Sequence, residues 1–179
     1  MEFPVVLGLF LLLVFFPLLD LGVLFLGSSS VSSAARIATV DAGKAPSFIT
    51  DTVTTTGTPP NTTSTTHLSA FHIAQKVAAA AATNGVAIDP IASGSVVLLE
   101  VPIVPNDQGA QPATVYRSPP TKIDTVNNTY QVQVTVTGHV SPLVTLGSNI
   151  FGVVPGLTAP LTVTQTSTST VEGPTGWTQ

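Results

Sequence analysis

Residues 3–26 read FPVVLGLFLLLVFFPLLDLGVLFL, with Asp20 as the one ionisable side chain in the run. As a helix this stretch would be about 36 Å long at ~1.5 Å per residue, enough to cross a hydrocarbon core of roughly 30 Å. A cleaved secretory signal fits it poorly. No basic residues lead into it, no small-residue cleavage site closes it, and it exceeds the usual apolar stretch of about 7–15 residues. The reading is a membrane anchor. Helical spacing then continues through GSSSVSSAARIATVDAG, where Val31, Ala34, Ala35 and Ala38 recur on one side. Gly43 is a candidate stop and Pro46 a breaker just beyond it. The expectation is a single helix of roughly 40 residues, with its first half in lipid or a helix bundle and its second half outside. Pro17 removes one backbone hydrogen bond and is expected to kink it. Gly8 and Gly22 leave small faces where another helix can approach.

Asp20 is the costly residue of this run. At mid-bilayer an Asp costs about 2.5–3.5 kcal/mol on insertion scales, and less near the edge. Either it reaches the headgroups from its late position, or it meets a partner inside a helical assembly. Glu2 opens the run, as an exposed terminal carboxylate or as a partner for an N-terminal amine.

Composition narrows the rest. Of 179 residues only 8% are charged, with nine acids and five bases giving a net charge of −4. An ordinary soluble domain carries roughly 25% charged residues. No basic run exists, so electrostatic binding of nucleic acid has no footprint. The chain has no Cys, which excludes disulfides and thiolate metal sites. Polarity past the helix comes from Thr, Ser and Asn, a composition that goes with an exported domain.

Residues 50–66, TDTVTTTGTPPNTTSTT, read as a loop: few large apolar residues and a Pro59-Pro60 pair. Asn61 and Asn127 each open an N-x-T sequon. Residues 67–83, HLSAFHIAQKVAAAAAT, place Leu68, Phe71, Ala74 or Gln75, and Ala78 at helical spacing, with Gly85 as the stop. This second helix is expected to pack beside the outer half of the first. Strands are expected at residues 95–104, 113–117, 129–137 and 161–171. TYQVQVTVT is the clearest, with Tyr130, Val132, Val134 and Val136 on one face. Asn106 to Gly109 is a turn. The apolar segment at residues 141–156 carries Leu143, Leu146, Ile150 and Phe151, which would plug the sheet or meet a partner. Trp177 sits in a tail read as flexible. The fold class is α+β: a long N-terminal transmembrane helix continuing into a small domain with a second helix and a 3–4-stranded antiparallel sheet. The domain boundaries are 1–45 for the helix, 46–66 for the loop, 67–172 for the α+β domain and 173–179 for the tail.

No catalytic constellation emerges, and no enzyme, cofactor or metal is expected. His67, His72 and His139 sit in no HExxH motif and have no acid at ligand spacing. Asp51, Asp89, Asp107 and Asp124 are isolated in loops and match no calcium loop. G-x-S-x-G and P-loop frames are absent.

Glu2-Phe3, the apolar run, Asp20-Leu21-Gly22 and Ala34-Ala35-Arg36 occur in an order and spacing that resembles the TadE/TadG-like pseudopilin family of tight-adherence pilus systems. The later layout is similar as well: an Ala-rich second helix ending near Asn84-Gly85, then strands, then a Thr-rich strand ending in Val171-Glu172. The resemblance implies a structural subunit, minor or filament-forming, of a tight-adherence type IV pilus. It implies a short leader removed before Glu2. It also implies assembly contacts at Glu2, Phe3, Asp20, Gly22, Ala34, Ala35 and Arg36. The implied partners are other pilin or pseudopilin subunits through the N-terminal helix, the inner-membrane pilus assembly machinery and the lipid bilayer. The implied location is the cytoplasmic membrane, with the C-terminal domain outside and a surface pilus as the final site. The alternative is a membrane-anchored exported adhesin or binding domain that never enters a filament; an anchored hydrolase is more distant.

Overall fold

A computed structural model describes residues 3–58, 60, 62–82, 85–103, 109, 111–143 and 158–177, with the backbone alone for residues 12 and 13. The N-terminal apolar run is helical as expected. Helix α1 (Phe3–Phe10) passes into a π-turn at Leu11–Phe15 and then into α2 (Phe16–Ala42). The π-turn has a cause in the sequence. Pro17 has no N–H to give to the preceding turn, and its ring would crowd the carbonyl four residues back. The widened turn just before Pro17, where the Phe16 N–H reaches Leu11 O, is the register change that accommodates it.

The other elements are β1 (Thr52–Thr56), β2 (Thr63–His67), α3 (Ala70–Ala80), β3 (Val86–Ile88), β4 (Val96–Pro102), β5 (Thr114–Tyr116), β6 (Asn128–Val140) and β7 (Leu161–Thr170). The class is α+β with an antiparallel sheet, but the expected strand count was too low. Five strands make the main sheet, and β1 and β2 form a separate antiparallel pair. Three residues carry no period, so β3 leaves no mark in the sequence. The hairpin lies where a loop was expected: its strands are almost all Thr and Ser, so alternation of apolar and polar residues could not mark them.

β6 is the spine of the sheet. β7 pairs along one side of it; β4 and then β3 pair along the other, and β5 flanks β4. One face of β6 is buried throughout: Tyr130, Val132, Val134, Val136 and Val140. That face packs on α2, which buries Leu24, Gly27, Val31, Ala34, Ala35, Ala38 and Ala42. Small residues set how closely the layers approach. A Cβ added to Gly27 would overlap the Val140 side chain, and one on Gly138 would come to 2.7 Å from Val31 Cγ2. α3 lies beside α2 through Ala70, Ala74 and Ala78, with Ser69 as its N-cap.

The expected stop at Gly43 is the C-cap of α2, but with φ −64°, in the right-handed region. Glycine is required here by proximity: a Cβ would stand 2.7 Å from Thr170 O. Residues 43–48 then act as a hub of carbonyls. Gly43 O accepts from Glu172 N, Ser47 O from Ala70 N, and Phe48 O from Phe71 N. The segment from residue 173 was expected to be a flexible tail. It forms a 3-10 turn (Pro174–Trp177) that is packed down instead. Trp177 is fully buried, stacks on Phe48 at a centroid distance of 5.2 Å, and donates from Nε1 to Ala45 O at 2.8 Å. An indole buries a large area and its N–H needs an acceptor when buried, and the hub supplies both.

Gly27→Val or Gly138→Val is expected to destabilise the domain by about 1–3 kcal/mol through overpacking. Gly22→Ala, with open space around it, is expected to leave stability unchanged or raised by up to about 1 kcal/mol through helix propensity. Denaturant unfolding in detergent, followed by the Trp177 signal, measures both.

Candidate functional surface and polar clusters

The described part of α1 buries no residue at all. Exposure continues into the start of α2, where Leu18 is 60% exposed against 78% for Phe3, and on its outer side at Phe25 (73%) and Leu26 (69%). Burial begins at Asp20 and Leu24 and becomes regular from Gly27. One helix thus has two regimes, apolar all round and then apolar on one side. α2 is long and apolar enough to cross a membrane by length and composition, with a mean hydropathy of 1.4 over its best window.

The residues expected at assembly contacts separate on this helix. Phe3 and Gly22 lie on open surface, and Arg36 is exposed in a groove of about 490 Å³ beside Ser33, Ile37 and Val40 on the side of α2 away from the sheet. Ala34 and Ala35 do not face outward. They are at 0% and 1% exposure, because the layer under the sheet admits only small side chains. Glu2 lies outside the described residues, as do Leu146, Ile150 and Phe151.

Asp20 follows neither expectation. It is fully buried in its own chain, and its Oδ1 accepts a hydrogen bond from the Leu143 N–H at 2.8 Å. A carboxylate in an apolar helix therefore ties down the chain just beyond β6. No sequence signal links positions 20 and 143; only the fold brings them together. The nearby Leu143 side chain is itself 63% exposed, so the hydrogen bond is to its backbone and not a plug of its side chain.

Two histidines with no acid at ligand spacing in the sequence meet one in the fold. Asp51 Oδ1 accepts from Ser69 N at 2.8 Å and lies 2.7 Å from His72 Nδ1, joining the end of the hub to the first turn of α3. The His72 hydrogen bond, followed by the Ser69 N–H, holds the Asp51 carboxyl below the usual range. His139 Nε2 lies 3.2 Å from Asp89 Oδ2, and its Nδ1 lies 3.1 Å from Thr162 Oγ1. The ring thereby clamps the end of β3 and the start of β7 to β6. Asp124 closes an Asx-type turn onto Val126 N and Asn127 N, and the Asn127 amide is the main cause that lowers its pKa.

The densest polar group surrounds Glu100 at the far end of the sheet. Its Oε2 accepts from Tyr116 OH at 2.6 Å, and its Oε1 accepts from Tyr130 OH at 2.8 Å and Asn128 Nδ2 at 2.6 Å. Tyr130 OH in turn accepts from Asp124 N at 2.9 Å. Both tyrosines of the chain converge on one carboxylate across β4, β5 and β6. The Glu100 hydrogen bond raises the Tyr116 pKa, and burial raises that of Tyr130, so both phenols stay protonated donors. Among the described residues no three His, Asp or Glu side chains gather as a metal site.

No protein-family model, curated protein or solved structure matches the chain. What distinguishes the molecule is an exposed apolar half-helix continuous with the helix that packs under the sheet.

Glu100→Ala leaves the buried Tyr130 without its half-buried acceptor and is expected to cost about 1–3 kcal/mol in denaturant unfolding. The Asp51 tether has a defined pH sense. Its folded pKa is depressed, so its stabilisation is present above the ordinary carboxylate pKa and is lost as pH falls through the lowered value. Ser69 amide shifts followed by NMR are expected to hold steady above about pH 5 and to move below about pH 4; Asp51→Asn should abolish the transition.

Proposed function

We propose that the chain is a pilin-like structural subunit, of the tight-adherence kind, anchored in the cytoplasmic membrane by its N-terminal helix with the α+β domain outside. The observation that carries this reading is the division of one helix into a half exposed on all sides and a half buried on one side. A plain anchor needs no rigid connection to its domain. Here the helix that meets lipid is also the central packing element of the sheet, so the domain moves wherever the helix is drawn.

Such a helix stores apolar surface in the bilayer and buries it against neighbouring helices in a filament. A Leu or Phe side chain gains about 1.5–3 kcal/mol on burial from water. Transfer from lipid gains less, so close approach and external work must supply the remainder. Gly8 and Gly22, both with open space around them, offer places for that approach. The groove with Arg36, Ile37 and Val40 extends the available surface outside the membrane. Catalysis forms no part of the proposal.

In cells that produce the chain, it is expected in the sheared surface-filament fraction, with its N-terminus processed by mass spectrometry. Recovery only in the membrane fraction would sink the filament role and leave the anchored exported domain. Asp20→Ala gives a second expectation: membrane insertion is retained, while the Leu143 amide exchanges at least several-fold faster in hydrogen-exchange measurements.

A further inference from the structure

The main sheet protects its edges unequally. On the β5 side the edge strand has three residues and is followed by Arg117 and the Pro119-Pro120 pair. β3 also has three residues and runs into Asp89-Pro90. Short strands, charges and prolines are the usual devices that stop a sheet from recruiting another strand. β7 has none of them within its span, with Pro160 and Glu172 standing only at its two ends. It is ten residues of LTVTQTSTST with no charge, no proline and an unbroken register against β6. Its inward side chains are only half-buried although they face α2, as on a strand with one side open.

The direction of its backbone groups follows from the ladder. Val171 N donates to Tyr130 O, so that pair is hydrogen-bonded, and pairs alternate from there. Thr162, Thr164, Thr166, Thr168 and Thr170 therefore fall in non-hydrogen-bonded pairs, and their N–H and C=O groups point away from β6. The short Thr135–Thr166 and Thr137–Thr164 side-chain contacts fit such pairs. The end of α2 at Gly43 lies against Thr170 O. From Thr162 to Thr168, the outward groups have no hydrogen-bond partner among the described residues.

The chain also carries a ribbon in need of support. All residues of β1 and β2 are exposed, and Val53, their one large apolar side chain, is 62% exposed. A two-stranded ribbon without a packed face is marginal in water, and a third strand with a sheet behind it is what it lacks. Residues 52–66 and 161–170 contain no ionisable side chain, so no charge opposes their meeting.

We propose that the β1–β2 hairpin of one copy adds to the open edge of β7 in a second copy. Backbone hydrogen bonds to Thr162, Thr164, Thr166 and Thr168 supply the contact. The hairpin springs from Asp51 at the Gly43 end of α2, while the open edge runs back toward the Gly27 end. The two surfaces differ, so the contact is heterologous and propagates from copy to copy instead of closing a pair. It does not rest on the filament role and involves a surface separate from the membrane helix.

A chain without Cys makes the test clean. Full-length Thr166→Cys protein in detergent is mixed with differently tagged chains carrying one cysteine at Val53, Thr54, Thr65 or Thr66, which sample both faces of both hairpin strands. Mild oxidation is expected to give a mixed disulfide with at least one of them, at least fivefold above that with Val126→Cys, an exposed loop control. Adding Thr164→Pro to the Thr166→Cys chain removes an outward N–H and spares the β6 ladder; it should reduce the product at least fivefold. If near-UV spectra show that the proline variant misfolds, Thr164→Lys takes its place. Yields no higher than the control, or disulfides formed only within a chain carrying both cysteines, overturn the proposal. Filaments that contain the chain but lack this cross-link would reject the edge contact and leave the filament role standing. A cross-link in a chain never found in filaments would do the reverse.

Discussion

The packing of α2 under β6 and β7 is the constraint on which the rest depends. A helix can lie this close to a sheet only where neither side presents bulk, and the contact is built from Gly27, Ala34, Ala35, Ala38 and Ala42 against Gly138 and a row of valines. The small side chains explain why the helix stays apolar on one side without large residues beyond Val31. They also explain why substitutions that add a methyl group at the glycines act on the whole domain, since interiors this dense transmit volume changes.

From that contact the helix inherits two environments. Upstream of Asp20 the helix buries no described side chain, and downstream one side is committed to the core. Asp20 stands at the change of regime. Its bond to the Leu143 N–H holds the backbone after β6 against the helix at the point where burial starts. At the other end the carbonyls of residues 43–48 gather α3, the Glu172 segment and the Trp177 indole. The helix is thus fixed to its domain at both ends.

The polar chemistry is distributed as fasteners. Glu100 joins three strands through two phenols and an amide, His139 joins β3, β6 and β7, and the Asp51–His72 pair joins the hub to α3. Each of these charged or ring groups is partly solvated and makes at least one hydrogen bond that spans separate elements. In a chain with so few ionisable residues, three of the six acids beyond the helix, Asp51, Asp89 and Glu100, are spent on such cross-connections.

The sequence by itself determined the long helix, its apolar first half, the Ala-rich α3 and the buried face of β6, because these follow from local periodicity and from the length of an apolar run. Short-range pattern could not show β3 or the Thr-rich hairpin, where no apolar alternation exists to be read. Tertiary structure alone decided what the singular residues do. Ala34 and Ala35, assembly contacts by the resemblance, are buried within the domain. Asp20 finds Leu143, Asp51 finds His72, and Trp177 leaves an apparent tail for the Phe48 ring. Each of these pairings joins positions far apart in the chain, and a single hydrogen bond or ring contact leaves no periodic trace in sequence.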